Sequence, residues 1–139
     1  MPAASVAAVS PAQRVLRILY ADDVHELRDV ARISFGHAGH GIECFADGAL
    51  ALAHIVADPS YDLVITDHHM PNMNGLELVS HLRERTFPGK IMVFSSELSE
   101  SVARLYRQHN VDRILYKPVF PSMLRNVLTE LFPATKPAA

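Results

Sequence analysis

The first indication of the fold comes from the sequence Ile65-Thr66-Asp67-His68-His69-Met70-Pro71-Asn72-Met73-Asn74-Gly75. An apolar run, Leu63-Val64-Ile65, leads into it and is bounded by Asp62 and Pro71, which is typical of a buried strand. The strand ends by presenting the carboxylate of Asp67. An isolated Asp would most simply cap a turn there. Ligands of open α/β sheets, however, bind beyond the carboxyl ends of the strands, so the meaning of Asp67 depends on which other residues reach that edge.

Apolar runs alternate with helical patterns on both sides of this strand. Four more strands are predicted at residues 15–21, 42–46, 91–94 and 113–116. Apolar residues recur at helical spacing after each strand; the fourth helix is predicted from about residue 98 to 109, and the last from near Pro121. Five alternations of strand and helix predict an α/β fold, in which a doubly wound parallel sheet of five strands carries five helices on its two faces.

Four of the five predicted strands lead directly into polar side chains. Asp22 and Asp23 follow the first strand, Asp67 ends the third, Ser95 follows the fourth, and Lys117 follows the fifth. Parallel strands bring their carboxyl ends to one edge of a sheet, so these five side chains are expected to form one site.

The chemistry of this set indicates phosphoryl transfer. Three carboxylates in a small pocket repel one another, which raises at least one pKa unless a cation enters. Carboxylates, a backbone carbonyl and waters suit Mg²⁺, which phosphate oxygens usually complete. A lysine and a hydroxyl facing the ion would bind the other phosphoryl oxygens. Because the sequence shows no activated Ser or Cys triad, a carboxylate is the expected nucleophile, and the product would be an aspartyl phosphate.

At these positions the sequence resembles the receiver domains of two-component response regulators, in particular the single-domain regulators of the chemotaxis type. The matching pieces are Asp22-Asp23, Ala46-Asp47-Gly48, Asp67-x-x-Met70-Pro71-x-Met73-x-Gly75, Ser95-Ser96 and Lys117-Pro118. The resemblance covers residues 15–131 and implies a flavodoxin-like receiver fold with strand order 2-1-3-4-5. It also implies a cis peptide between Lys117 and Pro118.

The resemblance implies a role for each site residue. Asp67 would accept a phosphoryl group from the phosphohistidine of a sensor histidine kinase or a histidine phosphotransfer protein. Ser95 and Lys117 would bind the phosphoryl oxygens. The ligands of Mg²⁺ would be Asp22, Asp23, Asp67 and the carbonyl of His69.

Two further residues are expected to tune the lifetime of the phosphorylated state. His69 and Glu97 lie two positions after Asp67 and Ser95, and in receivers these positions flank the path of water to the phosphoryl group. An imidazole titrates near neutrality, so His69 would make this lifetime depend on pH. The alternative is an exposed loop histidine of which only the backbone matters.

Departures from the family pattern concern the output surface. The aromatic residue that usually stands three positions before the lysine is Ile114 here, and the usual Gly-Ala before the fifth strand is Asn110-Val111. Ile114 is too short to report phosphorylation by swinging between pocket and surface. The predicted route is therefore the fourth helix and its leading loop, including Ser96, with Tyr106 or Tyr116 as a substitute ring. A downstream protein target or a homodimer partner would bind the fourth-helix and fifth-strand face.

Two other functional classes and a histidine metal site fit the sequence less well. The main alternative is a pseudo-receiver, which would act as a phosphorylation-independent interaction module. The presence of the acidic pair Asp22-Asp23 and of Asp67, Ser95 and Lys117 counts against it. An Asp-based phosphatase usually has a second carboxylate two residues after the nucleophile, where this chain has His69. No enzymatic activity is expected beyond self-phosphorylation and autodephosphorylation. A histidine metal site is disfavoured, because adjacent histidines on an extended chain, such as His68 and His69, point to opposite sides.

Composition sets the remaining expectations. The 139 residues are 49% hydrophobic and 20% charged, as in one globular domain, and the net charge of −2 argues against nucleic-acid binding. The single Cys44 is expected to be an inert core thiol of a reduced, cytoplasmic protein, and no run approaches transmembrane length. Residues 1–14 and 133–139 are expected to be flexible, and 15–132 to be the receiver domain, either stand-alone or part of a longer protein.

Overall fold

Five parallel strands form the frame of the computed structural model, which describes residues 14–133. The strands are β1 (Arg17–Ala21), β2 (Gly41–Phe45), β3 (Leu63–Asp67), β4 (Lys90–Ser95) and β5 (Arg113–Tyr116). They pair in the order β2-β1-β3-β4-β5, and every pair is parallel, which confirms the doubly wound sheet. The predicted flexible ends lie outside the described residues, except for Arg14 and Pro133.

Five helices connect and cover the strands. They are α1 (His25–His37), α2 (Gly48–Ala57), α3 (Gly75–Glu84), α4 (Glu100–Gln108) and α5 (Pro121–Leu131). The fourth begins two residues later than predicted, because the hydroxyl of Ser99 caps it by accepting a hydrogen bond from the backbone N–H of Val102. None of the helices within residues 14–133 has the length and apolar character needed to cross a membrane.

Two hydrophobic layers, one on each face of the sheet, enclose the strands. Side chains of successive strand residues alternate between the faces, so Leu19 packs beneath α2, α3 and α4, while Ile18 packs beneath α1 and α5. All five residues of the central strand β3 are buried. A continuous apolar run is what a strand covered on both faces requires, and this is why the sequence around residue 65 indicates the fold so clearly.

The register of the strands brings the predicted site residues to one edge. Asp67 pairs with Phe94, the residue before Ser95, and Ser95 pairs with Tyr116, the residue before Lys117. Lys117 follows directly, and its backbone N–H donates to the carbonyl of Ser95 at 2.8 Å. The parallel ladder alone therefore places the acidic, hydroxyl and basic side chains together.

Cys44 differs from the prediction of a core thiol. It lies on β2, an edge strand whose residues are half-buried or exposed, and is itself half-buried. Burial raises the pKa of its thiol, which keeps it protonated and poorly nucleophilic. The expected inertness is therefore consistent with the surroundings, although the residue is not in the core.

A buried histidine helps to position the start of β1. His40 is 7% exposed, and its Nδ1 accepts a hydrogen bond from the backbone N–H of Leu16 at 3.0 Å. This bond requires Nδ1 to be unprotonated, so the proton of the neutral ring is on Nε2. Burial lowers the pKa of His40, which keeps the ring in that neutral form.

We predict that His40 makes the folded state lose stability in mild acid. Because its folded pKa lies below the unfolded value of about 6.5, the unfolded chain binds more protons in that window, and the free energy of unfolding falls as pH falls through it. His40→Gln should flatten this loss between pH 7 and pH 5 and should cost about 1 kcal/mol at pH 8. Urea unfolding across pH measures both quantities.

The matched control is His37→Gln, which changes an exposed histidine at the end of α1. That variant should keep the pH dependence of the wild type. An unchanged slope in His40→Gln would show that the His40 bond is not what titrates. Some slope should remain in any case, because His68 is also buried with a lowered pKa.

Candidate functional site

Three carboxylates meet at the carboxyl edge of the sheet. Asp22 and Asp23 follow β1 and Asp67 ends β3, the strand beside it, and one oxygen from each lies within 4.8 Å of the others. Asp22 and Asp67 are buried, whereas Asp23 is exposed. Within residues 14–133 this is the one group of three acidic, His or Cys side chains close enough together to hold a metal ion.

The predicted lysine reaches into the same pocket. Nζ of Lys117 lies 2.9 Å from Oδ2 of Asp22 and 3.5 Å from Oδ2 of Asp67, and its side chain is 16% exposed. The peptide between Lys117 and Pro118 is cis, as the resemblance implied. A cation that bridges two buried carboxylates is also placed to contact an anionic group added to either of them.

Asp22 is held by the protein on both of its oxygens. The hydroxyl of Tyr20 donates to Oδ2 at 2.8 Å, Lys117 donates to the same atom, and the backbone N–H of Val24 donates to Oδ1 at 3.0 Å. A carboxylate has about four acceptor positions, so about one remains for a metal ion or its water. The exposed Asp23 supplies the more open oxygens.

The pKa of Asp67 is raised above its ordinary value. Burial is the main cause and the nearby charge of Asp22 adds to it, while Lys117 and a hydrogen bond at 2.8 Å from the backbone N–H of His68 to Oδ1 oppose it. A divalent cation would favour the ionised form. The donor atoms are all hard oxygens, so this set fits Mg²⁺.

Ser95 is completely buried, and its hydroxyl is turned towards its own loop. Oγ donates to the carbonyl of Glu97 at 3.1 Å and lies 3.3 Å from the backbone N–H of the same residue. His69 and Glu97 are exposed and line a cavity of about 450 Å³ together with Ser96 and His68. The structure thus brings together the two residues expected to flank the path of water.

The loop from β3 to α3 is fixed from two directions. Asp47, which caps α2, accepts a hydrogen bond at 2.9 Å from the side chain of Asn72, a residue with a left-handed φ of 67°. Asn74 and Glu77 form a reciprocal capping box at the start of α3. These contacts fix the residues after Asp67. The Ala46-Asp47-Gly48 turn therefore both begins α2 and supports the loop that follows Asp67.

This loop also contains a buried histidine whose burial the sequence does not predict. His68 is 9% exposed, and its Nδ1 is hydrogen-bonded at 2.7 Å to the hydroxyl of Tyr106 in α4. Burial lowers the pKa of His68 and raises that of Tyr106, so both groups are neutral. The sequence does contain one signal for this contact. Val102, Ala103 and Tyr106 fall on the inner face of α4, and a buried tyrosine hydroxyl there needs a hydrogen-bond partner.

The prediction that His68 and His69 point to opposite sides is wrong. Their ring centroids are 4.7 Å apart in an edge-to-face arrangement. The chain bends at His68, directly after β3 ends, so the alternation of an extended strand no longer applies. The one cluster with metal-holding geometry among the described residues is still the acidic one.

The residues predicted for the output surface occupy different environments. Ser96 and Tyr116 are exposed, and Ile114 is half-buried against the core layer that contains Tyr106. Tyr106 itself has no exposed surface, so its ring is an internal contact of α4. Asn110, which stands where the family usually has glycine, has a left-handed φ of 58°.

Comparisons with known proteins agree with this geometry. A family model described as the response regulator receiver domain matches residues 18–129. The sensory/regulatory protein RpfC of Xanthomonas campestris pv. campestris is 33% identical over 130 residues, which cover 91% of this chain and 18% of that protein. The sensor histidine kinase AruS of Pseudomonas aeruginosa is 32% identical over 136 residues, covering 94% and 13% respectively.

Among solved structures, the chemotaxis protein CheY4 of Vibrio cholerae superimposes with a TM-score of 0.78 at 26% identity. The match covers 86% of this chain and 100% of that chain. By contrast, the chain spans less than a fifth of the length of either of the two curated relatives. What those whole proteins do therefore does not transfer to this chain directly.

We predict that Lys117→Met raises the pKa of Asp67 further, because it removes the largest influence that stabilises the ionised carboxylate while leaving burial in place. Carbon-13 NMR of the side-chain carboxyl, titrated without divalent metal, measures this pKa. Lys90→Met, at the opposite end of β4, is the control and should leave it unchanged. An equal Asp67 pKa in both variants would contradict the electrostatic role of Lys117.

Proposed function

The chain belongs to the response regulator receiver domain family, and from this premise we propose that it is a phosphoacceptor switch of a two-component phosphorelay. The observation that carries the proposal is the convergence of Asp22, Asp23, Asp67 and Lys117 at one edge of the sheet. We further assign the switch to residues 15–132.

In this proposal Asp67 is the nucleophile. A carboxylate oxygen attacks the phosphorus of a phosphohistidine on a kinase or phosphotransfer protein; the P–N bond breaks, the imidazole leaves, and an aspartyl phosphate forms. Lys117, already 3.5 Å from Oδ2, neutralises charge on the phosphoryl oxygens. Names of relatives such as a sensor histidine kinase support a partner of this class.

Mg²⁺, when bound, would neutralise the excess negative charge of the pocket and of the incoming phosphoryl group. Its proposed ligands are Asp22, Asp23, Asp67 and the carbonyl of His69. Support comes from the proximity of the three carboxylates and from their hard oxygen donors. The exposure of Asp23 gives the ion access from solvent.

Release of the phosphoryl group by water is the only further chemistry in this proposal, so the chain acts as a switch and not as a general phosphatase. His69 and Glu97 are proposed to tune the lifetime of the aspartyl phosphate. Both are exposed in the cavity beside the site, which supports their access to the entering water.

Output is proposed to pass through the loop that precedes α4. To bind a phosphoryl oxygen, Ser95 has to give up its hydrogen bond to Glu97, and that exchange draws the loop towards the site. The surface that changes would be the face formed by α4 and β5, including Ser96, Ile114 and Tyr116. A downstream protein or a second copy of the chain would bind there.

Phosphorylation at Asp67 is tested with acetyl phosphate and Mg²⁺. We expect one phosphoryl group per chain, stable in acid and labile in base, detected by intact mass. Asp67→Asn should reduce labelling to background, because an amide is not a nucleophile of this kind. Asp29→Asn, a surface carboxylate on α1, should be labelled normally. Normal labelling of Asp67→Asn would show that the acceptor lies elsewhere.

Dependence on the metal is tested separately. EDTA or Asp23→Ala should abolish labelling, whereas the free energy of unfolding should change by no more than about 0.5 kcal/mol, since Asp23 is exposed. The control is Glu26→Ala, which removes an exposed carboxylate in the first turn of α1 and should leave labelling unchanged. Full labelling in metal-free buffer would rule out the Mg²⁺ hypothesis while leaving Asp67 as the acceptor.

A further inference from the structure

We propose that the hydrogen bond between His68 and Tyr106 is the link that couples α4 to the state of Asp67 in this chain. The inference rests on the proposed phosphoacceptor function and assigns two positioning residues to it. Neither residue touches the phosphoryl group in this proposal. His68 transmits from the acceptor loop, and Tyr106 receives on the helix.

The first end of the link is fixed to the acceptor carboxylate. The backbone N–H of His68 donates to Oδ1 of Asp67 at 2.8 Å, and its carbonyl accepts from the backbone N–H of Gly75 at 2.9 Å. The imidazole is buried, so the ring cannot turn away into solvent without losing its packing. A displacement of this peptide therefore carries the ring with it.

The second end of the link, the hydroxyl of Tyr106, is closely packed between three elements. The hydroxyl of Tyr106 meets Nδ1 of His68 at 2.7 Å. A Cβ on Gly75 would come within 2.6 Å of that hydroxyl and would clash with the carbonyl of Asp67. The end of β3, the start of α3 and the last turn of α4 thus converge on one phenolic oxygen, and only a glycine leaves room for it.

The helix that Tyr106 anchors has little other burial. Of the nine residues of α4, only Ala103 and Tyr106 are buried. Its C-terminal end is held separately by Arg83 of α3, which donates to the carbonyls of His109 and Asn110 at 2.7 and 2.8 Å. A helix with so few buried contacts changes position at low cost, so its buried polar bond has a large share in choosing that position.

Phosphorylation alters the first end of the link directly. As a carboxylate, Asp67 accepts a charge-assisted hydrogen bond from His68; as an acyl phosphate it is uncharged at the acyl group and accepts more weakly. The peptide of His68 is then held less tightly, and the ring bonded to Tyr106 shifts with it. Because Ile114 has no polar tip, this buried pair takes over a function that a ring at that position would otherwise perform.

The test compares amide responses to Mg²⁺ with beryllofluoride, a phosphoryl mimic, by NMR. In the wild type we expect shift changes both at Ser95 and Lys117 and along residues 100–108. In Tyr106→Phe, which deletes one oxygen, the response of residues 100–108 should fall to about half or less, whereas the pocket response should persist. Tyr61→Phe is the matched control: it deletes a hydroxyl that donates to Glu43 and should keep both responses.

A double variant separates the link from simple packing. Tyr106→Phe leaves His68 without its partner, and His68→Phe does the same to Tyr106, so each should destabilise the fold. Combining them makes the contact wholly apolar, which should recover much of that stability. The response of residues 100–108 should nevertheless stay weak in the double variant, and this variant also serves if a single variant fails to fold.

The outcomes are distinct. A wild-type response of α4 in Tyr106→Phe, or a response that returns with stability in the double variant, would overturn the link while leaving the phosphoacceptor function standing. If beryllofluoride perturbs nothing in the wild-type pocket, the proposed function itself fails, and the link fails with it. Weak α4 responses beside normal pocket responses in Tyr106→Phe and in the double variant, with both responses kept in Tyr61→Phe, support the inference.

Discussion

The ammonium of Lys117 lies between two buried carboxylates, 2.9 Å from Asp22 and 3.5 Å from Asp67, with Asp23 at the mouth of the same pocket. When all four groups are ionised, three negative charges face one positive charge, and burial makes the excess costly. Hydrogen bonds to Asp22 offset part of this cost, while Asp67 retains a raised pKa. A divalent cation would neutralise the remaining excess of negative charge in the pocket.

The geometry of that pocket depends on backbone more than on side-chain choice. The charged groups come from the ends of three strands, β1, β3 and β5, and the parallel register fixes their separation. The loop after Asp67 is then held by contacts that do not touch the site, such as the bond from Asn72 to Asp47. In the proposed reaction, a carboxylate held in this way would need little reorganisation before it acts as the nucleophile.

Much of this arrangement could be predicted from the sequence because it follows from periodicity. The five strands, the two-sided cover and the edge that collects Asp67 and Lys117 all follow from runs and alternations along the chain. Predictions failed where a tertiary contact decided the outcome. The arrangement of His68 and His69 was predicted wrongly because the extended strand ends at Asp67, and His68 is placed by its hydrogen bond to Tyr106, 38 residues away. That contact leaves no local pattern in the sequence around His68.

In the proposed link, Tyr106 offsets a departure from the family pattern that lies elsewhere in the fold. Ile114 packs half-buried against the layer that includes this ring, so the space near β5 is filled by a side chain that cannot report a polar event. The polar contact is made instead by Tyr106 of α4, whose hydroxyl faces the loop after Asp67 and not the surface. Since Arg83 holds the C-terminal end of α4, a displacement that begins at His68 would tilt the helix about that end. The largest change would then fall on its first turn, beside the loop that Ser95 controls, so both routes from the pocket act on the same stretch of surface.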